Sequence, residues 1–254
     1  LHPRVRRQRQ MCIRDSIIAM TFHEFAHAWM ADRLGDDTPR RQGRLTLNPF
    51  KHMEPIGMLM LLFAGFGWGR PVQINPNNFN RTITLRKGNA LVALAGPVMN
   101  LILAVIFSII YALILAFGGT FVLTQTGEII TTIIIYIISM NVGLGVFNLI
   151  PLPPLDGSKV LVAILPTNAR NWFESHERIL YIVFIIIWIT PIASLIISPI
   201  FRLINNGLLN LKSVRNRLRR YSQTKKSKII YKSTFLLQTF YLVCLSFLSY
   251  HTSI

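Results

Sequence analysis

Two apolar stretches, residues 89–117 and 129–149, decide most of what this chain can become. As helices they would extend about 43 Å and about 31 Å, enough to cross a hydrocarbon core of about 30 Å. In lipid, every backbone amide and carbonyl must find its partner inside the segment, and a helix does this. Further apolar runs are less complete. Residues 17–34 reach about 27 Å, barely a span, and 234–250 about 25 Å. Residues 179–204 are interrupted by Pro191 and Pro199. Composition agrees: 52% of the 254 residues are hydrophobic and 15% charged, against about 25% charged in soluble domains. The expected fold is an all-α polytopic membrane protein, a bundle of about four to five transmembrane helices. A membrane-embedded core is expected over 17–204. A basic N-terminal stretch, 1–16, reads as foreign or truncated sequence, and 205–254 as a basic and apolar tail.

The formal charge of +17 would suit nucleic acid. Much of it, however, sits in the first fourteen residues and in 202–232. Basic segments beside membrane helices face anionic headgroups. No nucleic-acid recognition module is visible, so the expected partner is the lipid bilayer. Charge also orients the chain. Residues 33–87 are rich in Lys and Arg and belong inside, whereas 118–128 carry neither and belong outside. One more crossing at 179–204 would place the basic tract 212–232 outside, so that segment is either re-entrant or followed by an atypical tail. Cys12 and Cys244 stand far apart and form neither a disulfide framework nor a C-x-x-C pair.

Within the run 17–34 lies His23-Glu24-Phe25-Ala26-His27, an H-E-x-x-H pattern. Side chains four apart on a helix share a face, so His23 and His27 can bind one metal ion together. Glu24, beside them, can take a proton from water activated at the metal. Ionisable groups in an apolar segment are costly and point to function. Gly35-Asp36-Asp37-Thr38-Pro39 ends the helix.

In His52-Met53-Glu54-Pro55, His52 and Glu54 read as loop residues in preference to ligands, because H-x-E puts the two on opposite sides of an extended chain. Residues 58–66 are apolar but too short to span, which suits a re-entrant segment. Residues 70–75 and 81–85 alternate like strands around the turn Asn75-Pro76-Asn77-Asn78. They predict a small membrane-surface β-hairpin, either structural or an edge for an extended peptide.

Asn100, in Ala95-Gly96-Pro97-Val98-Met99-Asn100, needs a partner in its apolar helix, either as helix–helix glue or in function. After 129–149 comes Asn148-Leu149-Ile150-Pro151-Leu152-Pro153-Pro154-Leu155-Asp156-Gly157. The prolines force an extended segment and deliver Asp156 beside a glycine free to take unusual backbone angles. Asp156 could cap a helix over 158–165. The two-histidine site lacks a third ligand, however, and zinc hydrolases use three protein ligands and one open position. The alternation of inside and outside returns Asp156 to the side of the loop after His27, which favours the ligand reading.

The chain resembles the site-2 protease family, the intramembrane zinc metalloproteases of peptidase family M50. The resemblance covers 17 to about 204. It rests on His23-Glu24-Phe25-Ala26-His27, Gly43-Arg44-Leu45-Thr46-Leu47-Asn48-Pro49, Ala95 to Asn100, and Asn148 to Gly157, in that order. It implies one zinc ion held by His23, His27 and Asp156, Glu24 as catalytic base, and Asn148 near the reacting carbonyl, helping to hold the oxyanion. Substrates would be transmembrane proteins whose helices unwind locally before cleavage. The location implied is a prokaryotic cell membrane, with the site toward the cytoplasm. The family's short members often have Asp where this chain has Glu54, and no PDZ domain fits between the motifs. Two other functions compete: an inactive membrane scaffold of the same fold, which intact Glu24 argues against, and a metal transporter. Transporters spread polar positions along several helices, often in repeats, whereas here they cluster at one depth.

Overall fold

The computed structural model describes residues 3–57, 59 and 69–189. The described residues are mostly helical. Helix α1 spans Pro3–Arg33, so helical backbone continues upstream of the apolar run. Two short helices follow, α2 (Thr38–Arg41) and α3 (Pro49–His52), each with proline in its first turn. Asn48 caps α3 by accepting from the Phe50 amide. Helix α4 (Leu85–Phe117) and helix α5 (Gln125–Asn148) open with threonine caps, Thr84 and Thr124. Then come α6 (Asp156–Ile164), α7 (Thr167–Ser175) and α8 (Glu177–Ile189).

Helices α4 and α5 are long and apolar enough to cross a membrane. They differ in exposure: 61% of the most apolar part of α5 is buried, against 22% for α4. Helix α5 is therefore the interior element. Helix α4 turns Ile102, Val105, Ile106, Ile109 and Leu113 outward, a face suited to lipid tails. The two meet through Ala104, Ile134, Ile138 and Val142. Helix α1 packs on both. It does so with buried alanines, Ala19, Ala26, Ala28 and Ala31, which let backbones come close. Ala19 joins Tyr136, Met140, Phe147, Leu155 and Phe184 in one cluster, tying α8 and the proline run to α1 and α5.

The expected hairpin does not form. Residues 70–75 and 81–85 do not pair as strands, and the described residues hold one isolated bridge, Met53 with Gly69. The amides of the first segment go elsewhere: Val72 donates to the Glu24 carboxylate at 3.1 Å and Asn75 to the Asp36 carboxylate at 2.6 Å. Alternating side chains signal extended backbone, but not which acceptor its amides will find. The expected re-entrant run lies outside the described residues apart from Leu59. So do the apolar run 179–204 beyond Ile189, the basic tract 212–232 and the segment 234–250.

Helix α1 is closed off by Gly35, whose φ of 105° suits glycine and whose missing Cβ leaves room for Asn80. Next to it Asp36 is fully buried. Burial alone would push its carboxyl up, but hydrogen bonds from Thr38, Asn75 and Asn78 hold it below the usual range. This carboxylate fastens the 75–78 turn to the end of α1. Asp36→Ala should destabilise the fold by about 2–3 kcal/mol, lowering the melting midpoint in detergent at pH 7 by roughly 5–10 °C. A depressed carboxyl stabilises above its unfolded pKa of about 3.9 and loses that contribution as pH falls through the folded value. The gap between variant and wild type should therefore narrow below about pH 4.

Candidate metal centre

His23 and His27 lie one turn apart on α1, with ring centroids 4.6 Å apart and planes at 85°. Both are buried. Each ring is fixed from behind by helix α4. His23 Nδ1 lies 2.6 Å from Asn100 Oδ1, and His27 Nδ1 lies 2.7 Å from the Val92 carbonyl. A carbonyl oxygen only accepts, so Nδ1 of His27 carries the proton. The Nε2 lone pair of His27 therefore points forward, 3.0 Å from Nε2 of His23.

Asp156 closes the group. Its Oδ2 lies 3.1 Å from His23 Nε2 and 3.2 Å from His27 Nε2. With neutral imidazoles, three acceptor atoms then face one another with no proton between them, which is unfavourable unless a cation sits there. Ligand atoms on a tetrahedral zinc, about 2.0–2.1 Å from the metal, stand about 3.3–3.4 Å from each other. The three residues therefore fit such an ion after a small expansion. Among the described residues, this is the group of three His, Cys, Asp or Glu side chains close enough to hold a metal.

The local sequence explains how Asp156 gets there. The N-cap of α6 is Leu155, and no side chain caps that helix. The capping reading of Asp156 thus gives way: Asp156 is the first residue of the helix, and its carboxylate turns to the histidines. Gly157 has an ordinary φ, unlike Gly35, Gly43 and Gly119, so freedom of backbone angle is not its use. A Cβ there would lie 2.4 Å from the Leu149 carbonyl oxygen and 2.5 Å from that of Ile150. The glycine lets the start of α6 lie directly on the end of α5. Gly96 serves the histidines in the same way. A Cβ at that position would stand 2.5 Å from His27 Nε2 and 2.7 Å from His23 Nε2.

Glu24 is buried beside the pair, and its Oε2 accepts from the Val72 amide. The segment carrying Val72 is held by Arg44. That buried guanidinium donates to the carbonyls of Lys51, Arg70 and Pro71, the last two at 3.0 and 3.1 Å. Arg44 stood in a motif without a stated role. Val92 and Val72 contribute backbone groups, which no residue type can advertise.

The remaining candidates supply no atom to the three-residue cluster. His52 is buried with Nε2 against the Thr46 carbonyl, and burial lowers its pKa. Neither it nor Glu54 belongs to the cluster. Asn148 is buried in the last turn of α5, where its Nδ2 donates to the Leu144 carbonyl at 3.0 Å.

Comparisons with known proteins give the family. The model of "Peptidase family M50" matches residues 116–190, which include Asn148 and Asp156. YwhC of Bacillus subtilis, provisionally named a zinc metalloprotease, is 39% identical over 197 residues, covering 78% of this chain and 88% of that protein. Rip2 of Mycolicibacterium smegmatis, provisionally named likewise, is 30% identical over 181 residues, covering 69% of this chain and 65% of that protein. Rip2 of Mycobacterium tuberculosis is 28% identical over 185 residues, covering 71% of this chain and 67% of that protein. No solved structure matches the chain.

Proposed function

The chain belongs to peptidase family M50, and from that premise we propose that it hydrolyses peptide bonds of membrane-spanning proteins at one zinc ion held by His23, His27 and Asp156. The observation that carries this reading is the convergence of Asp156, from the start of α6, on two rings of α1 that lie about 130 residues earlier. Zinc bound there would polarise the scissile carbonyl and bring the pKa of water toward about 7. Glu24 takes the proton of the attacking water as the new C–O bond forms. It then delivers that proton to the amide nitrogen as the C–N bond breaks. No covalent link between enzyme and substrate is needed. The Val72 amide holds one oxygen of Glu24 and so fixes the carboxylate's direction. Asn148 has one amide hydrogen engaged by Leu144 and a second available to a developing oxyanion.

Substrates would be transmembrane segments that unwind locally, since peptide bonds in a helix are shielded by their own hydrogen bonds. The charge asymmetry between residues 33–87 and 118–128 favours a site on the cytoplasmic side of a prokaryotic membrane. The test uses the protein in lipid nanodiscs with a panel of single-span substrates. The expected result is one zinc per chain and cleavage within the spans. A strong chelator should reduce turnover to background, and stoichiometric zinc should restore it. Zinc flux in sealed vesicles without any cleavage would overturn the protease reading.

A further inference from the structure

Three helices meet behind the His23 ring, and two asparagines fill the junction. Asn100 on α4 and Asn141 on α5 are both fully buried. Resting on the zinc-site reading above, we infer that Asn100 and Asn141 form a relay of positioning residues that sets the tautomer of His23 and so turns its Nε2 lone pair toward the metal.

The Ile137 carbonyl only accepts, so the Asn141 side-chain atom 2.9 Å from it is the NH₂ group. The other end of that amide, Oδ1, then faces Asn100 and accepts from it at 2.9 Å. The Asn100 atom at this contact is therefore also NH₂. Its second hydrogen goes to the Ala19 carbonyl at 3.0 Å, another pure acceptor. Both donors of Asn100 are now assigned, and its Oδ1 has one remaining direction, toward His23 Nδ1 at 2.6 Å. Oδ1 cannot donate, so His23 Nδ1 must. The proton is fixed there, and Nε2 is left bare, facing His27 and Asp156.

Helix–helix glue alone would not need this polarity. Flipping the Asn100 amide would set NH₂ against His23 and oxygen against two oxygens. The Asn141 amide prevents that flip without touching the histidine. Partners of this kind behind metal-binding histidines fix ring orientation, and their loss usually weakens metal binding about 10–100-fold.

The decisive measurement needs neither metal nor turnover. Solid-state NMR of protein labelled with ¹⁵N-histidine, metal-free in bilayers, reports the tautomer, with His23 assigned by comparison with His23→Gln. The expected spectrum shows protonated Nδ1 and bare Nε2 for His23 in wild type, and a mixture of tautomers in Asn100→Leu and Asn141→Leu. Cobalt(II) titration should show affinity about 10–100-fold weaker in Asn100→Leu, a smaller loss in Asn141→Leu, and a changed visible spectrum in both. A bare Nδ1 on wild-type His23 overturns the relay, even if both variants fail to fold. Wild-type cobalt affinity in a folded Asn100→Leu also overturns it. If His23→Gln binds cobalt as well as wild type does, the zinc-site reading fails instead, whatever the tautomer.

Discussion

Glu24→Gln should lower the cleavage rate by about 10²–10⁴-fold while zinc stays bound near one per chain. The range is that of a lost general acid–base group. Glutamine is isosteric and keeps an oxygen that can accept from the Val72 amide, so the contact at 3.1 Å should survive. What it lacks is a site for the water proton. Glu24 contributes no atom to the His23, His27 and Asp156 cluster, so metal content should hardly change. The measurement is single-turnover cleavage of one transmembrane substrate, with zinc counted on the same sample. Equal rates in variant and wild type would remove Glu24 from the chemistry. Loss of zinc along with activity would mean that the carboxylate had been holding the metal.

A second substitution separates packing from chemistry. Gly96→Ala puts a methyl group 2.5 Å from His27 Nε2 and 2.7 Å from His23 Cε1 and Nε2, closer than real Cβ atoms approach. The rings have little room to retreat, because Val92 and Asn100 of the same helix hold their far nitrogens. Misplacing reacting groups by about an ångström can cost about 100-fold in rate, and a loss at least that large is expected here. Zinc affinity should fall along with it. The helix itself should gain, since alanine is about 1 kcal/mol better than glycine in a helix interior. The expected signature is thus a folded protein, equally or more helical by circular dichroism, with impaired metal binding. Wild-type zinc affinity in Gly96→Ala would show that the rings do not sit where they are described.

The sequence and the structure meet unevenly, and the reasons are physical. The His23–His27 pair was legible because a helix repeats every 3.6 residues and the pattern needs nothing beyond that period. The approach of Asp156 was legible from the two apolar runs that separate it from His27: read as a pair of crossings, they would return the chain to its starting side. The use of Gly157 was misjudged, because sequence shows a missing side chain without showing whether angle or space is wanted. Here the carbonyls of Leu149 and Ile150 need the space. The hairpin failed for a related reason. The amides of Val72 and Asn75 are taken by carboxylates of α1 and of the turn after it, not by a partner strand. Asn100 was visible as a polar residue needing a partner, but its choice of His23 depends on three helices crossing at one point.

The length of α4 has a bearing on how a hydrolase inside a bilayer obtains its second reactant. Arg86 and Lys87 stand in its first turn and are exposed, so that end belongs among headgroups and solvent. Gly96, against which both imidazoles rest, follows Lys87 by nine positions, about 14 Å along the axis. Any tilt of the helix makes the vertical drop smaller still. A hydrocarbon layer of about 30 Å therefore has its midplane at or beyond the level of the imidazoles, and bulk water need travel no more than a few molecular diameters to arrive there.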